Sequence, residues 1–201
     1  MTAAPKLMSV DDYLAMERRS DIKHEYFAGQ IFAMAGASYA HSTITANVSG
    51  ELRDALRNTD CNVVSSDMRV RTVSTLYAYP DVAVLCGKPE FDDEERDTLT
   101  NPIVLIEVLS DSTEGYDRGQ KFFNYRSIPS LKEYVLISQR QRLVEHFARQ
   151  PNGQWLLTTY SSSDQVVQFP TLDVSIPLAS FYLKVELSST PALRDEEESA
   201  T

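Results

Sequence analysis

Apolar residues recur at two different periods along this chain, and the two periods mark out its elements. From 38 to 57, Ile44, Val48, Leu52 and Leu56 return every fourth position with Ala55 beside them. That spacing predicts an amphipathic helix with one buried stripe, ended by Asn58-Thr59-Asp60. Ser9-Val10-Asp11-Asp12 is a capping sequence ahead of Tyr13, Leu14 and Met16, which predicts a short helix. Two brief runs, Val82–Cys86 and Ile103–Leu109, lack helical spacing and are rich in Val, Ile and Leu. They read as neighbouring buried strands.

Residues 24–36 read as a hairpin broken at Ala28-Gly29, and 61–65 and 68–73 as two strands. Residues 133–137, 143–148 and 155–160 give three more, with Pro151-Asn152-Gly153 turning between the last two. Ser112–Arg126 reads as a loop and then a helix carrying Phe122, Phe123 and Tyr125, stopped by Pro129. Residues 177–185 read as a short terminal helix. Residues 87–101, with Phe91-Asp92-Asp93-Glu94-Glu95, are expected to form a mobile, solvated acidic loop, with a lid as the alternative. The order predicts an α/β fold, a central mixed sheet flanked by helices.

Composition narrows the class. At 201 residues the chain has room for one domain with a full core, placed at 1–187, followed by an acidic tail at 188–201 expected to be disordered. No apolar run approaches the ~20 residues needed to span a bilayer, and the first residues contain no apolar segment of signal-peptide type. Cys61 and Cys86 sit in strand-like surroundings without metal-type spacing. They are expected to be buried reduced thiols, which favours the cytoplasm. The net charge of −10 argues against a protein that coats nucleic acid non-specifically. An enzyme with a small local basic cleft remains compatible with it. No GxSxG, Walker loop or GxGxxG is present, and His24, His41 and His146 lack zinc-ligand spacing.

The chemistry stands out against the strands. Asp81 opens the first apolar run directly after Pro80, and Glu107 sits inside the second between Ile106 and Val108. A carboxylate in a buried strand costs several kcal/mol unless a metal or cation compensates it. Lys121, at the start of the next helix, lies close enough in sequence to fold back onto the strand ends. Mg²⁺ or Mn²⁺ would take Asp81, Glu107 and the backbone carbonyl of Val108 as oxygen ligands. Bound there, it would activate water against a phosphodiester, with Lys121 positioning that water. The plainer alternatives are a strand cap for Asp81 and a solvated helix position for Lys121. His41 is a candidate phosphate contact or proton donor, or simply a polar residue at a helix start. Asp67 and Asp117 read as structural before catalytic.

These residues carry a resemblance. Pro80-Asp81, Glu107-Val108-Leu109-Ser110, Asp117-x-x-x-Lys121-x-x-x-Tyr125 and Glu133-Tyr134 resemble the Uma2 family, formerly a domain of unknown function within the PD-(D/E)XK nuclease superfamily. The resemblance extends from about Ser9 to Val185 and takes in Glu25-Tyr26-x-x-Gly29 and His41. It implies a restriction-endonuclease-like core and a divalent-metal-dependent endonuclease acting on DNA, with no membrane association and no organic cofactor. It also implies a homodimer and adds Glu25 as a further carboxylate at the metal, the alternative being a surface salt bridge to Lys23 or Arg19. One departure is that the superfamily lysine two residues after the second acid is replaced by Leu109, so the lysine must come from the following helix. The acidic charge balance is the other. The rival readings are a catalytically weak or silent scaffold, and a nuclease acting on RNA or another phosphodiester.

Overall fold

The chain is described by a computed structural model covering residues 7–187; the expected acidic tail lies outside the described residues. Its centre is a six-stranded mixed sheet. The strands are β3 (Cys61–Ser65), β6 (Val82–Cys86), β8 (Val104–Leu109), β9 (Glu133–Ser138), β10 (Val144–Arg149) and β11 (Trp155–Tyr160). They lie in the order β11-β10-β9-β8-β6-β3. Only β8 and β9 run parallel, joined by a crossover that contains the helix predicted there.

Strand alternation gives this sheet two apolar faces. On one face Val82, Val84, Val104, Ile106, Val108, Val135 and Ile137 meet the stripe of α2 (Tyr39–Ala55), made of Ile44, Val48 and Leu52, with Leu56 just beyond it. The four-residue apolar period of the sequence is therefore the packing surface itself. On the other face Ala83, Leu85, Leu105, Leu109, Tyr134 and Leu136 pack against Tyr125, Ile128 and Leu131.

A second, five-stranded sheet lies against that other face, in the order β2-β1-β5-β4-β7. It comprises β1 (His24–Phe27), β2 (Gln30–Ala33), β4 (Arg69–Arg71), β5 (Leu76–Ala78) and β7 (Thr98–Leu99). The β1–β2 turn is formed by Ala28 and Gly29, both with positive φ (49° and 88°), as a tight hairpin with right-handed strand twist requires. α1 (Val10–Glu17) starts at Ser9, whose hydroxyl accepts from the Asp12 amide. A small hairpin, β12 (Val166–Phe169) with β13 (Val174–Pro177), closes the first core together with α5 (Leu178–Phe181).

Several expectations need correcting. The expected 68–73 strand is only three residues long, and the terminal helix shrinks to four, starting after Pro177, which belongs to β13, and ending at Phe181, where residues 182–184 form a turn. β5, β7, β12 and β13 fall outside the expected strands; each is only two to four residues long, too short to show a hydrophobic period. The acidic loop is clamped rather than loose. Asp93 and Asp97 bind Arg18, Asp97 also binds Arg69, and Asp92 binds both Arg71 and the Tyr77 hydroxyl. Finally, Cys61 and Cys86 are not free thiols. The β3–β6 register sets them directly opposite each other, and they form a disulfide. Their separation of 25 residues hides that register in the sequence.

Candidate active site

The antiparallel register of β6 and β8 pairs Val82 with Ile106. Asp81 and Glu107 therefore occupy the next cross-strand position. Asp81 Oδ2 accepts the Val108 amide at 2.7 Å, which ties the acid to the neighbouring strand. Glu107 points to the face shared by Leu105 and Leu109, beneath the crossover.

Lys121 reaches this point from a helix with an unusual turn. After α3 (Glu114–Tyr116) the backbone widens into a π-helical turn, Asp117–Lys121, before resuming as α4 (Phe122–Tyr125). Such turns are frequent at functional sites. Lys121 is only 5% exposed. Its ammonium lies 2.9 Å from Glu107 Oε1, 3.0 Å from Glu25 Oε1 on β1 and 3.4 Å from Asp117 Oδ1 one turn earlier. The Tyr125 hydroxyl donates to Glu107 Oε1 at 3.0 Å. His41 enters from the first turn of α2, which is capped by the Ser38 hydroxyl on the His41 amide. Its Nε2 is 3.2 Å from Asp81 Oδ2.

Glu25, Asp81, Glu107 and Asp117 thus surround one lysine and one histidine. Burial drives the Glu107 carboxyl well above its usual range; Lys121 opposes this, and Asp117, Asp81 and Glu25 add to it. Burial likewise raises Asp117 against the pull of Lys121. For Lys121, burial works against the charge, yet Glu107, Tyr125, Glu25 and Asp117 outweigh it and hold the ammonium well above its usual value. His41 follows the same pattern, with the Asp81 hydrogen bond and charge overcoming burial. The shifts agree in sign: the cluster carries excess negative charge and favours any added proton or cation. Apart from the ammonium contacts, Glu25 Oε1 and Asp117 Oδ1 are buried with no hydrogen-bond partner.

A divalent metal fits this chemistry. Two carboxylates and a carbonyl on adjacent strands are hard oxygen donors, and the surplus charge calls for a cation. Glu25 enters the cluster beside Glu107, on the same ammonium. Among the described residues, the acids and His41 of this cluster supply no three ligand atoms mutually within 4.8 Å. Glu25 is buried against Lys121 rather than in a surface salt bridge, since Lys23 binds Asp67. Asp67 is largely exposed, whereas Asp117, read as structural, is inside the cluster. The signal for Asp117 was present in the Asp117, Lys121, Tyr125 spacing, four residues apart and so on one helical face. His24 and His146 lie elsewhere, against Glu17 and Glu133.

Comparison with known proteins follows the same lines. Residues 10–179 match the family model of Uma2, described as "Putative restriction endonuclease". Two proteins of Synechocystis sp., sll1609 and slr1290, both described as uncharacterized, are similar. The first is 37% identical over 87% of this chain and 99% of its own length, the second 40% identical over 81% and 84%. A crystal structure from Anabaena variabilis, described as a "putative nuclease belonging to DUF820", superposes with a TM-score of 0.73. It is 15% identical and covers 88% of this chain and 98% of its own, a likeness of fold.

Proposed function

Because the chain belongs to the Uma2 family of restriction-endonuclease-like proteins, we propose that it is a divalent-metal-dependent endonuclease that hydrolyses phosphodiester bonds of DNA. The observation that carries this reading is the buried excess of carboxylate around Lys121, with Glu107 only 4% exposed and set in an apolar strand. A fold that had no use for a cation there would gain stability by replacing such acids with apolar residues.

In this mechanism Asp81, Glu107 and the Val108 carbonyl, with Glu25 as a third acid, would hold Mg²⁺ or Mn²⁺, which when bound polarises the phosphoryl oxygen and makes bound water acidic. Lys121, kept cationic by its acids, orients the attacking water and offsets the charge that builds on the phosphate. Glu25 and Asp117 fix the ammonium on its other sides. Tyr125 fixes the Glu107 carboxylate. His41, charged by Asp81, donates to a phosphate oxygen or to the leaving oxygen. The active form is proposed to be a homodimer, for which mass by light scattering is the direct test.

One observation favours the second reading, a silent scaffold: Lys121 is sequestered by three acids and nearly inaccessible to substrate. The deciding experiment incubates supercoiled plasmid, single-stranded DNA and RNA with Mg²⁺ or Mn²⁺. It compares wild type with Asp81→Ala, Glu107→Ala and Lys121→Ala. Metal-dependent nicking lost in all three variants supports the nuclease, and the preferred polymer identifies its substrate. Equal activity in wild type and variants removes the assignment. Neither cleavage nor Mn²⁺ binding favours the scaffold.

A further inference from the structure

About half of the basic side chains among the described residues are neutralised by carboxylates. Arg18, Arg57, Arg69, Arg71, Arg118 and Arg140 each hold a carboxylate. Arg126 and Arg149 form no ion pair among the described residues, and both border one grooved surface. Its larger groove, of about 550 Å³, shares Arg126, Gly153 and Trp155 with a second of about 310 Å³ that Arg149 lines, and the two lie between the outer side of α4 and the β10–β11 turn. Besides the two arginines their main walls are Phe123, Trp155, Gln150 and Gln154, and no carboxylate lines them. In a chain of net charge −10, an acid-free groove with two uncompensated guanidinium groups is a local reversal of sign.

The groove is also aromatic. The Arg126 guanidinium lies over Phe122 and Phe123, 5.3 and 5.4 Å from the ring centres, and Arg149 lies 5.8 Å over Trp155. Phe123 is 61% exposed and, among the described residues, carries only the Arg126 guanidinium against its ring. The floor is rigid. Trp155 meets Phe122 edge-on at 5.4 Å, Phe122 stacks on Tyr134 at 4.9 Å, and Tyr134 abuts Tyr125, which holds Glu107. The same aromatic ladder therefore joins the groove to the candidate site, with Phe122 directly following Lys121.

Resting on the nuclease reading, we propose that this groove is a subsite for single-stranded nucleic acid, with Arg126 and Arg149 on its phosphates and Phe123 and Trp155 stacked on its bases. The chemistry selects single strands over duplex because stacking needs unpaired base faces. A duplex needs a long cationic track, which this acidic surface does not supply. Gln150 and Gln154 add hydrogen-bond donors and acceptors for base edges.

Trp155 is the chain's one tryptophan, so its emission reports directly on the groove. The full-length protein in chelator and low salt, where nothing is cleaved, is titrated with a labelled oligothymidylate of about 12 nucleotides. Binding is read both by anisotropy and by tryptophan quenching. Expected are quenching by the single strand, little by a blunt duplex of equal length, and affinity about ten-fold or more weaker in the Arg126→Glu/Arg149→Glu double variant. The slope of log affinity against log salt should be about 1.4 shallower in that variant, about 0.7 for each phosphate that an arginine no longer neutralises. Trp155→Phe, which keeps a stacking ring, should still bind. An unaltered melting transition confirms that the variants are folded. Oligonucleotide binding with unchanged tryptophan emission, equal affinity in the double variant, or equal binding of duplex would overturn the subsite. Because this assay needs no catalysis, absence of binding alongside metal-dependent nicking sinks the groove and spares the nuclease. Binding without any cleavage does the reverse.

Discussion

A glutamate flanked by Ile106 and Val108 is committed to the interior by its own strand, and everything around Glu107 answers to that burden. Lys121 is the main compensation, and removing it leaves the acids of the cluster buried without their ammonium. Lys121→Met should therefore lower stability in chelator by about 3–5 kcal/mol, the cost of breaking a buried ion pair by deleting one partner. Glu107→Gln should cost far less. The amide oxygen still accepts from Tyr125, and the change takes one negative charge from an over-acidic cluster. Urea unfolding of both variants checks the pair, and equal losses would mean that the cluster is not over-acidic. The sign of the Glu107 shift agrees with this. A carboxyl raised by burial contributes stability below its ordinary range and loses it as pH rises through the folded value.

At the scale of elements, the acidic loop between β6 and β8 owes its order to arginines from α1 and β4. Hydrogen bonds from Arg18 come first in holding the Asp97 carboxyl down at about 2; Arg69 and Thr98 add to this and burial opposes it. A depressed acid contributes stability that is present above its ordinary value and lost as pH falls through the folded one. The loop clamp should thus weaken between about pH 4 and pH 2. Asp97→Asn should flatten that limb of an acid-unfolding curve. The effect is modest because the pair is partly exposed and solvent screens it. In the β1–β2 turn, Ala28 holds φ of 49°, which costs a residue with a Cβ atom. Ala28→Gly should accordingly stabilise the protein by about 1 kcal/mol, read from the denaturation midpoint.

For the whole molecule, the β3–β6 disulfide ties the strand at the sheet edge to the strand that leads from Asp81. Closing a loop of 25 residues removes unfolded-chain entropy, so Cys61→Ser/Cys86→Ser should lose about 3 kcal/mol under oxidising conditions. Under reducing conditions it should match wild type, and a loss unaffected by reductant would assign the effect to packing instead. Much of the molecule was legible beforehand because local pattern decides it. The α2 stripe, the two buried strands and their intruding acids follow from which residues water excludes. Asp81, Glu107 and Lys121 stood out as charges where apolar residues or a helix face were due. What sequence could not supply was register and the approach of one sheet to the other. Glu25 and Lys121 meet only because the five-stranded sheet folds against the face that Glu107 shares with Leu105. Cys61 meets Cys86 only through strand pairing, and the acidic loop is ordered by arginines far away in the chain. Hydrophobic periodicity states which face of an element is buried. The partner it is buried against depends on long-range packing, and only the tertiary structure decides that.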